Sequence, residues 1–141
     1  MDIASGVGLV ISGLAIVLSL VSIFRTRRQN QYQVLENYYS MDKDIKFIRA
    51  RKITYGMKNL QEMKKSEEVS QIVSVFHFYG LMVKKKYLPF YIFESASGDA
   101  VIRLYEIIVP LVDERRKKNK YYAEYFEWLY EKIKKNKLKK R

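Results

Sequence analysis

The chain has 141 residues, a formal net charge of +12 at pH 7, one histidine and no cysteine. Its length fits a single domain, and the missing cysteines exclude zinc sites built from Cys and His as well as a cysteine nucleophile. Zero cysteines also fit a reducing compartment. The composition therefore says more about location than about a reaction.

The first predicted element is an apolar segment, residues 3–24, which holds no charged residue, proline or amide and is followed directly by RTRR. As a helix it would be about 33 Å long, enough to cross a hydrocarbon core of about 30 Å. It is too long for a secretory signal and lacks a basic start, since the first Lys or Arg is Arg25. We predict an uncleaved transmembrane helix over residues 1–24; the alternative is a buried helix of a soluble core.

Orientation follows from the flanking charges. Arg25, Arg27 and Arg28 sit at the predicted membrane interface, and every Lys and Arg of the chain lies after residue 24. The positive-inside rule places residues 25–141 in the cytosol and the N-terminus outside. The predicted location is the cytoplasmic membrane, crossed once.

One face of the apolar segment is made of small residues. They recur at intervals of three and four, and this small-residue stripe consists of Ser5, Gly8, Ser12, Ala15, Ser19 and Ser22. Small residues let membrane helices approach closely, and serine hydroxyls can hydrogen-bond across the contact. The stripe predicts self-association or pairing with another spanning helix; the alternative is that Gly and Ser are simply tolerated there.

Beyond the membrane the sequence predicts an all-α fold, a small cytosolic bundle of four to five helices. Two prolines, few glycines and long apolar runs at helical spacing support it. The first helix should continue through a juxtamembrane extension at residues 25–40. A helical domain should occupy residues 41–135, and residues 136–141 should form a frayed basic tail.

Two helices are predicted in the first half of this domain. One covers about residues 42–63, and its inward-facing candidates are Ile45, Ile48, Ile53, Met57 and Leu60. The next begins after Ser66, a plausible N-cap, and runs to about residue 85. Because this helix is apolar on nearly every side, we expect it at the centre of the bundle.

The second half should hold three more elements. Pro89 opens a short helical piece, and residues 95–99 form a turn. A long helix at about residues 99–118 contains Pro110, which should kink or split it. The last helix, at about residues 120–135, carries one apolar stripe with Trp128 beside it: Tyr122, Tyr125, Phe126, Leu129 and Ile133.

The stretch from Val73 to Leu129 carries a recognisable pattern of aromatic and charged residues. Its pieces are Val75-Phe76-His77-Phe78-Tyr79, Leu81-Met82-Val83-Lys84-Lys85, Leu104-Tyr105, Pro110, Arg115-Arg116, Tyr122 and Phe126-Glu127-Trp128-Leu129. It resembles an uncharacterised family of short bacterial and phage proteins with one N-terminal spanning helix and a small helical cytosolic domain. Members should have an acidic residue after the aromatic pair, where this chain has Gly80. The resemblance implies architecture and no reaction.

Residues that could perform catalysis are scarce. His77 lies among apolar neighbours, so a core or half-buried role is favoured over a catalytic one, and no nucleophile motif accompanies it. Glu124, Glu127 and Glu131 recur at helical spacing with lysines nearby, which favours surface ion pairs. We therefore predict a non-enzymatic protein with no catalytic residue, no metal ligand and no cofactor.

Basic clusters give the strongest signal on the cytosolic side. The candidate surface for an anionic partner consists of Lys84, Lys85, Lys86, Arg115, Arg116, Lys117 and Lys118. Held near an anionic leaflet, each cation close to the surface contributes about 1 kcal/mol of attraction. Lipid headgroups are the favoured partner. A solvated surface without a specific partner comes second, and nucleic acid stacked on the many tyrosines comes third.

Together these features predict a single-pass membrane protein that acts as an interaction or scaffold module. Its expected partners are the anionic inner leaflet and a second copy of itself or another membrane protein. One alternative is an oligomeric effector that permeabilises the membrane in bacteria–phage conflict. Another is a membrane-tethered nucleic-acid-binding module, whereas an enzyme would need a site that the sequence does not reveal.

Overall fold

The computed structural model describes residues 3–140, without the side chains of residues 3–5 and of Leu9. Within this range the chain forms six α-helices, one 3₁₀ turn and no strand, which confirms the all-α prediction. In chain order the elements are α1 (Ile3–Lys43), α2 (Ile45–Gly56), α3 (Leu60–Lys65), α4 (Glu67–Lys84), the 3₁₀ turn (Phe90–Phe93), α5 (Ala96–Arg116) and α6 (Glu124–Lys139).

Helix α1 runs without interruption through 41 residues, a length of about 60 Å. Its apolar first half is bare: Leu18 is 67% and Phe24 69% exposed. Its second half joins the domain, because Tyr38 is buried and its ring meets those of Tyr79 and Phe93 edge-on, with centroids 5.1 and 5.5 Å away. The predicted continuation of the first helix past residue 24 is confirmed, and its last turns belong to the domain core.

The prediction of a single helix over residues 42–63 is wrong, because the chain forms two helices there, α2 and α3. The carboxylate of Asp44 accepts the N–H of Phe47, and the side chain of Asn59 accepts the N–H of Glu62, so each helix has its own cap. Because α2 begins at Ile45, the side chain of Ile45 points outward and is 82% exposed. The prediction that Ile45 faces the core is therefore wrong. The buried residues of α2 are Phe47, Ala50 and Thr54 instead.

Helix α4 occupies the centre of the bundle, as predicted, and packs against both α2 and α6. Ser66 is its N-cap and accepts the N–H of Val69 at 3.2 Å. The Phe76 ring stacks on that of Phe126 in α6, with centroids 5.1 Å apart. At Gly80 a Cβ would collide with the carbonyl of Tyr125, so the absence of a side chain lets α6 approach.

Helix α5 begins earlier than predicted, and the expected turn at residues 95–99 is wrong. Ser95 is the N-cap, and Gly98 already lies in the first turn, where a Cβ would collide with the carbonyl of Phe93. The helix is not split at Pro110. Pro110 is exposed, so water can reach the backbone carbonyl that its missing N–H leaves without a helical bond.

Helix α6 begins at Glu124, later than predicted, because Ala123 before it adopts a left-handed backbone with φ 56°. Phe126, Leu129 and Ile133 are buried, as the predicted stripe requires. The helix also continues to Lys139, beyond the predicted end at residue 135. Ion pairs hold this end to the first turn of α5 and to the residue after the 3₁₀ turn, since Lys137 pairs with Asp99 and Lys140 pairs with Glu94.

Candidate anion-binding groove beside the apolar helix

A groove of about 470 Å³ lies where α1, the segment after α4 and the middle of α6 meet. Its lining residues, which we call the groove residues, are Arg28, Gln31, Tyr32, Leu35, Val83, Lys84, Lys86, Tyr87, Leu88, Pro89, Phe90, Tyr91, Trp128 and Lys132. They combine cations with aromatic and aliphatic side chains. Its volume is within the range of small-molecule sites, about 300–1,000 Å³.

The segment after α4 folds back tightly to form one wall of the groove. Lys86 adopts a left-handed backbone with φ 62°, and the N–H groups of Tyr87 and Leu88 both donate to the carbonyl of Met82, at 2.9 and 3.2 Å. Leu88 is then buried in the core at 1% exposure. The side-chain amide of Gln31 donates to the Lys86 carbonyl at 2.8 Å, which ties this wall to α1.

Two lysines are held on the ring of Trp128, at the α6 wall. The Lys84 and Lys132 ammonium nitrogens lie 5.8 and 5.1 Å from the indole centroid. Lys132 also lies 4.9 Å from the centroid of Phe90, and Lys84 lies 5.3 Å from that of Tyr125. Cation–π attraction positions the ammonium groups without neutralising them, so both remain able to bind an anion.

The charge of the groove is positive and locally unbalanced. Its four cations are Arg28, Lys84, Lys86 and Lys132, and no Asp or Glu of the described chain lines it. None of the four forms an ion pair with a carboxylate among residues 3–140. A concave cluster of one sign raises the local concentration of anions. This arrangement can bind a phosphate or carboxylate next to apolar surface.

The structure does not bring the two halves of the predicted basic surface together. Arg115 reaches the carbonyl of Lys64 at 3.4 Å and shares a shallow depression with Ser70, near the start of α4. Lys84 ends the same helix, fourteen residues or about 21 Å further along. Lys84 and Lys86 thus lie in the groove, while Arg115 and Lys118 line the separate depression and Lys85 is exposed outside both.

Part of the 115–118 cluster is engaged in structural contacts. Arg116 forms an ion pair with Glu127 at 2.8 Å, and the Tyr105 hydroxyl donates to the same carboxylate at 3.0 Å. The hydrogen-bonding guanidinium holds the pKa of Glu127 below its ordinary value, while burial raises the pKa of Tyr105. Lys117 pairs with Glu114 at 2.6 Å. Glu127 therefore pairs with Arg116, and the predicted surface ion pair between Glu127 and a lysine is wrong.

The predicted interface arginines separate as well. Arg25 and Arg27 are exposed on α1 below the domain, whereas Arg28 reaches the groove, with its guanidinium carbon 5.9 Å from the ring centroid of Tyr32. The basic stretch after the apolar segment thus supplies one groove residue and two cations that remain on the bare helix.

The small-residue stripe is uncovered by the rest of the described chain. Its described members, Gly8, Ser12, Ala15, Ser19 and Ser22, are exposed, and the side chain of Ser5 lies outside the described residues. The hydroxyls of Ser12 and Ser19 donate to the carbonyls of Gly8 and Ala15, both at 2.8 Å. Since these donors are satisfied within α1, association along the stripe would rest first on close helix approach.

His77 lies outside the groove. Its ring packs against Tyr125, with centroids 5.0 Å apart, and its Nδ1 is buried without a hydrogen-bond partner among the described residues. Burial lowers the pKa of His77, because desolvation disfavours the imidazolium form. His77 is half-buried, as the sequence favoured.

Several groove residues were not among the predicted site residues. Trp128 and Lys132 are four residues apart on α6, so helical spacing alone could have paired them. Gln31 is likewise three residues from Arg28 and four from Leu35 on one face of α1. Phe90 carries no such signal, because it reaches the groove only through the fold of the segment after α4. The position of a cation in the tertiary structure, and not its place in a run of cations, decides whether it lines the groove.

One described helix, α1, is long and apolar enough to cross a membrane, and no part of its apolar window is buried by the rest of the described chain. No curated protein and no solved structure matches this chain. A family model described as a domain of unknown function (DUF4760) matches residues 9–133, which takes in most of the apolar segment and the helical domain to α6. The bacterial or phage origin implied by the resemblance stays a prediction. The chain belongs to this family of unknown function.

Proposed function

We propose that this protein is a single-pass membrane protein that holds a small, basic, non-enzymatic interaction domain against the cytoplasmic leaflet. The observation that carries the proposal is the continuity of α1 from the bare apolar segment into the domain core. A continuous helix fixes the height of the domain above the bilayer. A flexible linker would leave that height free.

The helical rise gives this height. With Phe24 at the edge of the hydrocarbon, Arg28 lies about 6 Å and Leu35 about 17 Å beyond it along an upright helix. The polar headgroup region adds about 5–8 Å on each side of the bilayer. The groove would therefore begin within the headgroup layer and open just above it. Its four cations would face the anionic surface.

The flanking arginines support the cytoplasmic orientation, since they sit within one turn of the apolar segment. The exposed small-residue stripe supports self-association in the membrane, or pairing with another spanning helix. In this proposal the domain gathers partners at the leaflet, and the stripe sets the number of copies that gather.

Single cysteines test the orientation cleanly, because the natural chain has none. In intact cells, the variant Asp2→Cys should react with a membrane-impermeant maleimide, while Ser40→Cys should react only after permeabilisation. Carbonate extraction should leave the protein in the membrane pellet. Labelling of Ser40→Cys in intact cells would overturn the orientation, and release of the protein by carbonate would overturn the spanning helix.

Substitutions on the stripe test self-association. Gly8→Leu with Ala15→Leu should abolish the signal of α1 in a bacterial membrane dimerisation reporter, because leucines keep the helix backbones apart. The matched control, Val10→Leu with Val17→Leu, changes another face of the helix and should keep the signal. An unchanged signal for the stripe variant would contradict self-association. Dye leakage on expression, lost with a plain leucine helix, would instead support the permeabilising alternative.

A further inference from the structure

We propose that the groove is a binding site for the headgroup of one anionic phospholipid from the leaflet that α1 enters. Arg28, Lys84 and Lys132 would contact the phosphate, and the part of the headgroup beyond the phosphate would lie against Leu35 and Trp128. This inference rests on the proposed function, because it requires α1 to cross the membrane beside the groove. It goes further by naming a single site and a ligand class.

The groove concentrates unpaired positive charge. The groove brings together cations from three places in the chain: one turn beyond the apolar segment, the end of α4 and the middle of α6. No carboxylate of the described residues lines the groove or pairs with these cations. At the same time the ammonium groups of Lys84 and Lys132 are already held on Trp128, so less side-chain entropy is lost when an anion binds.

The shape of the groove favours a lipid headgroup over other anions. The groove has an apolar floor, including Leu35 and Phe90, which a free phosphate would leave in contact with water. Its volume of about 470 Å³ suits a lipid headgroup, whereas a nucleic-acid strand needs a groove that tracks several nucleotides. The floor also adjoins the helix that enters the bilayer, so a lipid could bind while its acyl chains stay in the membrane.

Trp128 provides the measurement, because it is the only tryptophan of the chain and forms a wall of the groove. The full-length protein in a neutral nonionic detergent is titrated with dihexanoyl-phosphatidylglycerol, and tryptophan emission is recorded. A phosphate drawn to Lys84 and Lys132 should change the environment of the indole, so we expect a saturable change. Parallel titrations use dihexanoyl-phosphatidylcholine, inorganic phosphate and a single-stranded oligonucleotide, and these should give no saturable change over the same range.

A matched pair of double variants tests the site. Arg28→Gln with Lys132→Gln should weaken binding of the anionic lipid by at least about tenfold, since each cation near a phosphate contributes about 1 kcal/mol. Arg115→Gln with Lys118→Gln removes the same charge outside the groove, from the depression beside Ser70, and should change binding less than about twofold. Circular dichroism of both variants checks that they fold.

The possible results separate the proposals. Equal weakening by both double variants would show attraction to net charge and overturn the site. Saturation by inorganic phosphate alone would overturn the lipid, and saturation by the oligonucleotide would support nucleic acid. Absence of lipid binding in a protein that passes the cysteine and carbonate tests would reject the site and leave the proposed function standing. A failed carbonate test would reject the spanning helix itself.

Discussion

The basic clusters at residues 84–86 and 115–118 look alike in the sequence and differ in the structure. Around Arg116 and Lys117 the cations are paired with carboxylates of their own chain, and they hold α5 to α6 or stabilise α5 itself. In the groove, Lys84 and Lys132 lie on aromatic rings and form no ion pair with a described carboxylate. A run of cations in the sequence therefore does not say which of its members the fold pairs with carboxylates and which it leaves unpaired.

The largest expected effect comes from the contact that sets the spacing of α4 and α6 and so shapes the groove. We expect Gly80→Ala to lower the free energy of unfolding by about 3 kcal/mol, at the upper end for overpacking, because the colliding Tyr125 carbonyl cannot rotate away. Denaturant unfolding of the full-length protein, followed by circular dichroism, measures it. Gly56→Ala, where an added Cβ meets nothing within 4 Å, is the matched control and should cost far less. Equal costs would contradict the close approach of the helices.

An intermediate effect is expected at the ion pair between Arg116 and Glu127. Glu127→Gln removes the charge that partners Arg116 and should destabilise the protein by about 1 kcal/mol at pH 7. The pKa of Glu127 is lowered in the folded protein, so its stabilisation is present above the ordinary value of 4.5 and lost as the pH falls through the folded value.

The difference in unfolding free energy between the natural protein and Glu127→Gln should therefore shrink as the pH falls from about 5 towards 3. Glu131→Gln is the control, because Glu131 is exposed and has no ion-pair partner among the described residues. A difference that persists at low pH would mean that Glu127 acts through packing and not through its charge.

The smallest effect is expected at the groove wall. Gln31→Ala removes the exposed hydrogen bond to the Lys86 carbonyl and should cost only about 0.5 kcal/mol in global stability. Hydrogen exchange should nevertheless speed up locally in residues 85–91, because that segment loses its tie to α1. Gln29→Ala, an exposed position on the same helix, should leave the exchange of this segment unchanged. Identical exchange in both variants would show that the wall is held by Leu88 alone.

Local patterns in the sequence predicted the elements that depend on nearest neighbours. Ser66 caps α4 as expected from its hydroxyl, and the i, i+3, i+7 spacing of Phe126, Leu129 and Ile133 correctly marked the buried face of α6. The outward-facing Ile45 shows the limit of such patterns. Its position depends on where α2 begins, and a single cap at Asp44 moves that beginning by three residues from the predicted one.

By itself the sequence determined an apolar helix long enough for a bilayer, an all-α domain after it and the central place of α4. Each of these follows from composition and periodicity, which act over one or two helical turns. Only the tertiary structure decided that Arg28, Lys84 and Lys132 share a groove while Arg116 is paired with Glu127. Those contacts join residues far apart in the chain, so their partners depend on how the helices pack and not on local spacing.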